Sequence, residues 1–312
     1  MVIQTSGYRK QNIDSNNAQQ LYFRLFKPDN KEVKATLLIL HGMQEHSGRY
    51  TDFAEYMAKE GFAVITYDHI GHGNTAQTSK DLGFFQHKKP AQQLVNDAEN
   101  MTDYLSDLFP DVPHFLLGHS MGSFIARCLL QQAYQKFNGA VIVGTGGKTP
   151  GAGLAKTYFA LMNQLAPKHR SNFVNQSFSK MNNKRFKNEP NSDGTNWLSA
   201  DKNNRIAFTQ DSLCGVPFSY NGFYALLSLN VKSTKKNWAK NIDHDFPLLF
   251  ISGADDPIGN YGKGVTETVS NLKHKGFTNV EMKLYPHMRH EILNEGIKEE
   301  VYNDIDLWLK GR

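Results

Sequence analysis

Short, uninterrupted apolar runs recur along this chain, at residues 35–40, 62–67, 115–117, 139–144 and 246–252. Alternation is missing from them, which is the pattern of strands buried on both faces, so each predicts an inner strand of a parallel sheet. Helical spacing fills the gaps. Tyr50 to Glu60 predicts a helix stopped by Gly61. Pro90 to Leu108 predicts another, with Leu94, Ala98, Met101 and Leu105 on one side, Pro90 suited to its start and Pro110 beyond its end. Later, 263–275 and 298–309 predict helices on either side of a strand at 280–285. Strand, helix, strand with short links implies right-handed βαβ units and an α/β protein.

Two stretches depart from this rhythm. Tyr8 to Phe26 predicts two short strands around the turn-rich Asp14-Ser15-Asn16-Asn17, the second (Gln20 to Phe26) closed by Lys27-Pro28-Asp29-Asn30. Between Gly146 and Asp245 Asn, Lys, Ser and Phe dominate. One amphipathic helix is predicted there, Leu154 to Leu165, with Leu154, Tyr158, Leu161, Met162 and Leu165 on one side. The division expected is therefore a core of residues 1–145 and 246–312 interrupted by a mainly helical cap, 146–245. No internal repeat or low-complexity tract occurs.

The 312 residues are 39% hydrophobic and 21% charged, ordinary for a water-soluble globular protein. No apolar run is long enough to cross a bilayer, and Met1 to Asn30 lacks the basic and apolar regions of a secretion signal. With only Cys128 and Cys214 available, a disulfide framework is not expected, and a reducing, cytoplasmic setting fits. The net charge of +5 is unevenly distributed. Residues 146–245 carry 14 Lys and Arg against 6 Asp and Glu, while the remainder carries 21 against 24. Such a basic cap could draw anionic substrates or lipid headgroups and make transient contact with a membrane surface. No nucleic-acid-binding motif accompanies the charge, so a nucleic-acid partner is not expected.

The run at 115–117 leads straight into Gly118-His119-Ser120-Met121-Gly122 and then into the helix-like Ser123 to Leu130. Strand, sharp turn and helix is the setting of a nucleophile elbow, in which Ser120 is presented by a strained backbone. Gly118 and Gly122 are expected because a Cβ there would meet the neighbouring helix and strand. Serine is a poor nucleophile at neutral pH, so a base must lie within hydrogen-bond reach and a carboxylate must orient that base. Catalytic groups in this architecture follow parallel strands in the order Ser, Asp or Glu, His. The strand ending at Ser252 is followed by Asp255 and Asp256, and the strand ending at Tyr285 by His287 and His290. Both pairs remain open on spacing alone. His41, His46, His69 and His72 lie in Gly-rich turns without the partners of a zinc site, and neither a dinucleotide fingerprint nor a P-loop is present, so neither metal nor cofactor is expected.

Four segments together, His41 to Tyr50, Asp68 to Gly73, Gly118 to Gly122 and Arg289-His290-Glu291, resemble the monoglyceride lipase and bacterial lysophospholipase branch of the α/β-hydrolases. The resemblance runs from about Tyr22 to Trp308 and includes Trp197-Leu198-Ser199 and Leu213 to Phe218. It implies the α/β-hydrolase fold, a mostly parallel sheet with helices on both faces. By that likeness Asp256 is the acid rather than Asp255, and His290 the base rather than His287. Backbone N–H groups of Met43 and Met121 would form the oxyanion hole. The activity implied is hydrolysis of a single-acyl-chain lipid ester, a monoacylglycerol or lysophospholipid, through an acyl-enzyme. Short-ester carboxylesterase activity, proline-type aminopeptidase activity and a non-catalytic binding role are the alternatives.

Overall fold

The computed structural model describes residues 1–11, 19–29, 32–85, 88–190 and 192–312. The turn expected at Asp14 to Asn17 and the strand end at Asn30 lie outside the described residues. Eight strands form one sheet in the order β1-β2-β4-β3-β5-β6-β7-β8. β3 (Ala35–Leu40), β4 (Phe62–Tyr67), β5 (His114–His119), β6 (Gly139–Val143), β7 (Leu248–Gly253) and β8 (Val280–Tyr285) run parallel. Every residue of β3, β4, β6 and β7 is buried, as their continuous apolar runs require.

β1 (Val2–Lys10) and β2 (Gln20–Pro28) add an antiparallel edge. β1 begins six residues before Tyr8, the start expected from pattern. It lies at the sheet margin and pairs along its whole length, Val2 with Pro28 through Lys10 with Gln20. Most of its side chains face outward, so hydrophobicity marks it weakly.

Helices α1 (Thr51–Lys59), α2 (Pro90–Leu108), α3 (Met121–Ala133), α8 (Lys263–His274) and α9 (Lys298–Lys310) cover the two faces. One buried cluster joins α2, α3 and α8 to one face, and a second joins α1 and α9 to the other. Between β6 and β7 come α4 (Ala152–Leu165), α5 (Asn172–Asn182), α6 (Lys202–Gln210) and α7 (Tyr220–Ser233). Phe223, Ala225 and Leu229 of α7 join the first cluster, so this segment is packed onto the core.

α4 forms where its pattern predicts, but its apolar side faces away from the protein. Leu154 is 81% and Leu165 69% exposed, with Tyr158 and Leu161 beside them, while Ala152 and Phe159 are buried and Met162 packs inward. Phe159 stacks on Phe223 of α7 at 5.3 Å between ring centroids.

Candidate active site

Ser120 occupies the single residue between β5 and α3, at φ 52° and ψ −118°. That conformation costs a non-glycine residue about 1–3 kcal/mol and is sustained by its surroundings. A Cβ on Gly118 would lie 2.3 Å from the carbonyl oxygen of Gly122, and one on Gly122 would lie 2.0 Å from that of Leu40. Glycine at both positions is therefore what lets α3 start against the ends of β3 and β5.

The strand-end loops converge on Ser120. Its Oγ lies 2.8 Å from His290 Nε2, and His290 Nδ1 lies 2.9 Å from Asp256 Oδ2. Asp256 is fully buried and also accepts from Ser252 Oγ at 3.1 Å and from the Ile258 N–H at 2.8 Å, which leaves it one orientation. The carboxylate fixes His290 with its proton on Nδ1, and Nε2 is then free to accept from the serine. Gly253 makes this approach possible, since a Cβ there would meet the carbonyl oxygens of Arg289 and Met288 at 2.1 and 2.2 Å. The local rivals are placed elsewhere. Asp255 pairs with Arg185 at 3.4 Å, and His287 is exposed at φ 63°.

Met43 and Met121 lie on the two segments that meet at Ser120. The Met121 N–H is the first of α3, so it has no intrahelical acceptor. Gly42, next to Met43, is tight against the elbow, its would-be Cβ 3.0 Å from Ser120 Cβ. What holds this loop is Glu45, a role the sequence does not announce. Its Oε1 accepts from the Gly42 N–H at 2.6 Å and from Tyr50 Oη at 2.8 Å, and lies 3.1 Å from His119 Nδ1. His119 Nε2 reaches the backbone oxygen of His290 at 3.1 Å, so one buried imidazole links the Met43 loop, the turn at Ser120 and the His290 loop.

Burial disfavours charge on both members, but their mutual hydrogen bond and attraction win. Glu45 is held well below the usual carboxylate range and His119 above the usual imidazole value. Arg49 extends the network, with Nε 3.4 Å from Glu45 and a terminal nitrogen 2.6 Å from Glu291. Burial opposes its charge too, yet Glu291 and Glu45 hold its pKa above the usual value.

His41, His69 and His72 are buried and pushed down by burial, His69 to about 3 and His72 to about 4. As neutral rings they knit two loops: His41 Nε2 accepts from the His69 N–H at 3.0 Å, and His69 Nε2 reaches the His41 carbonyl at 3.2 Å. Among the described residues one group, His46, Asp211 and Cys214, is close enough to share a metal ion. His46 Nδ1 accepts from the Gly48 N–H at 3.2 Å, which puts the proton on Nε2, 2.8 Å from Asp211 Oδ2. That tautomer makes the pair a hydrogen bond between loops and opposes metal binding through Nε2.

A cavity of about 520 Å³ opens on the Ser120 hydroxyl. Its walls come from α4, α5, α7 and the segment around Trp197 and are mainly apolar, with Phe159, Phe178, Trp197, Phe223, Leu226 and Leu227 prominent. The Trp197 ring stands 5.2 Å from that of His290. Arg289 ties the same loop to this wall, donating to the Asn196 carbonyl at 2.7 Å and to Glu189 at 2.6 Å.

A family model described as serine aminopeptidase, S33, matches residues 31–296. The monoglyceride lipase of Mus musculus is 33% identical over 127 residues, 41% of this chain and 40% of that protein. The chain thus matches about 40% of the length of that lipase and of its rat and human counterparts. The monoacylglycerol lipase of Mycolicibacterium smegmatis is 23% identical over 299 residues, covering 93% of this chain and 92% of that one. Among solved structures, a thermostable carboxyl esterase from Bacillus coagulans in complex with glycerol has a TM-score of 0.87 at 26% identity, covering 98% of each chain.

Proposed function

The chain belongs to the serine aminopeptidase S33 family of the α/β-hydrolases, and from that premise we propose that it is a serine ester hydrolase acting on a lipid with a single acyl chain, a monoacylglycerol or a lysophospholipid. The observation that carries the reading is the hydrogen-bonded line Asp256–His290–Ser120 opening on a mainly apolar cavity of about 520 Å³. Ser120 Oγ attacks the ester carbonyl while His290 Nε2 takes its proton. Asp256 stabilises the imidazolium that results, and the N–H groups of Met43 and Met121 bind the oxyanion. Each such donor contributes about 3 kcal/mol to the transition state. His290 then protonates the departing alcohol, and water, deprotonated by the same imidazole, releases the acid.

The apolar wall suits an alkyl chain, and the names of the mouse and mycobacterial relatives point the same way. Residues 146–245 act as the cap over this cavity. The outward face of α4, together with exposed Phe173 and Met181 and the basic balance of the segment, supports contact with an anionic membrane surface. No helix among the described residues is long and apolar enough to cross a membrane. Both cysteines are free and buried, in keeping with action in a reducing compartment.

The family's name favours a second reading, an aminopeptidase. That activity needs an acid to hold the substrate ammonium. The acidic residues lining the cavity are Glu45 and Glu291, and both are already engaged by Arg49. The test compares hydrolysis of a monoacylglycerol, a lysophosphatidylcholine of equal chain length, a short p-nitrophenyl ester and an aminoacyl anilide, by the wild type and Ser120→Ala. Turnover of one lipid that disappears in the variant is expected. Turnover confined to the short ester removes the lipid assignment, and turnover of the anilide alone establishes the peptidase.

A further inference from the structure

Away from Ser120, two asparagines stand with Thr149 and Ser177 among the mainly apolar walls of the cavity. On α7 the residues facing it are Phe223, Leu226, Leu227 and Asn230, a stripe of helical spacing whose last member is an amide instead of a fourth hydrocarbon side chain. On α5 the residues facing it are Val174, Ser177, Phe178 and Met181, followed by Asn182 at the helix end. Asn182 is 5% and Asn230 8% exposed, and both line the cavity. Asn182 Nδ2 and Asn230 Oδ1 are buried with no hydrogen-bond partner, and neither amide group bonds to any other described residue.

Buried side-chain amides are nearly always satisfied, so two orphans in one cavity need an explanation. Glu45 is the other cavity residue with an orphaned buried atom, and it has Arg49 beside it. The asparagines have no such ion. An alkyl chain satisfies neither end of an amide. A carboxylate or phosphate oxygen only accepts and would leave the carbonyl unmatched. A hydroxyl both donates and accepts, so it can serve either end of either amide.

We propose that Asn182 and Asn230 form a polar subsite that binds a hydroxyl-bearing part of the substrate within the apolar cavity. The hydroxyl could belong to the alcohol of the ester or to a hydroxylated acyl chain, and the two sources are separable. The inference rests on the ester-hydrolase reading of the same cavity. It implies discrimination against plain hydrocarbon esters, because they would bury two amides unmatched.

The experiment compares the full-length wild type with Asn182→Leu, Asn230→Leu and the corresponding alanine variants. Three substrates share one chain length: a monomyristoylglycerol, propyl myristate and the propyl ester of a mid-chain hydroxymyristate. The readout is the ratio of kcat/KM for each hydroxyl-bearing ester to that for propyl myristate. The wild type is expected to prefer at least one of the former. Loss of one hydrogen-bonding amide is expected to lower that ratio about tenfold. A fall confined to the glycerol ester places the alcohol at the subsite, and one confined to the hydroxymyristate places the chain there. A ratio unaltered by all four variants, or a wild type with no preference, overturns the subsite while leaving ester hydrolysis in place. A wild type inert on all three esters but active on p-nitrophenyl butyrate overturns the lipid-ester reading on which the subsite rests, and one inert on p-nitrophenyl butyrate as well overturns the hydrolase reading itself. Melting temperature supplies the second measurement. Replacing an orphan amide by leucine should hold or raise it, whereas a fall in both leucine variants would show that the amides support the fold and overturn the assignment.

Discussion

Glu45→Gln removes one charge and little else. The carboxylate accepts from the Gly42 N–H at 2.6 Å and Tyr50 Oη at 2.8 Å, and lies 3.1 Å from His119 and 3.4 Å from Arg49. Glutamine keeps one carbonyl oxygen for the first two contacts. That oxygen also stays beside His119, but the amide nitrogen then replaces the Oε2 acceptor that faces the Arg49 guanidinium. Breaking a buried charge pair costs about 3–5 kcal/mol. Arg49 retains Glu291 at 2.6 Å, so the loss should fall at the low end, about 3 kcal/mol. With an unfolding entropy of about 2.1 cal/mol/K per residue over 312 residues, that is a fall of about 5 °C in Tm. Losing a whole oxyanion donor costs about 100- to 1,000-fold in kcat, so a loosened Met43 loop should cost about 10- to 100-fold. Calorimetry and kcat on p-nitrophenyl butyrate provide the assay. A variant that melts within about 1 °C of the wild type and turns over within about twofold would refute the claim that this carboxylate holds the oxyanion loop.

Further outcomes follow from other parts of the molecule. Asp97 is pushed up to about 7 by burial, against the pull of amide donors from Gln93 and Gln11. The folded protein therefore keeps a proton that the unfolded chain has lost, and stability should fall as pH rises from about 4 to about 7, by at most about 4 kcal/mol. Asp97→Asn lacks this slope, so its urea midpoint should gain on the wild type between about pH 5 and pH 8; parallel pH profiles would contradict this. Gly122→Ala should cost about 3 kcal/mol or more and abolish activity, because its Cβ meets the Leu40 carbonyl oxygen at 2.0 Å. Gly153→Ala has nothing within 4 Å and should match or exceed the wild-type Tm. Leu154→Asp with Leu161→Asp on the outward face of α4 should leave Tm unchanged and weaken flotation with anionic vesicles. Equal flotation would remove the membrane contact.

The inner strands were legible because a strand buried on both faces must be apolar at every position, as at 35–40 and 62–67. The edge strand was not, since most of β1 faces outward. Ser120 could be read from local sequence because its strain and its glycines are local requirements. The choice between Asp255 and Asp256 could not be read from spacing, because neighbours in a loop point in different directions; the family resemblance named Asp256, and it is Asp256 that the fold buries and hydrogen-bonds to His290. Amphipathicity located α4 but not which way its apolar side would face, since the pattern is the same for a side packed on protein and a side left outside. Arg49 and Glu291, 242 residues apart, are invisible as a pair until the fold brings their loops together.

The central claim is that Ser120 is a nucleophile activated through His290 and Asp256. Its most direct measurement is covalent labelling by a fluorophosphonate, with the modified peptide located by mass spectrometry in the wild type, Ser120→Ala, His290→Ala and Asp256→Asn. One adduct per chain on Ser120 is predicted, absent from the alanine variant at that position and slowed at least about a hundredfold by the His290 and Asp256 substitutions. Labelling of another residue, or labelling of Ser120 at an undiminished rate without His290, would contradict the account.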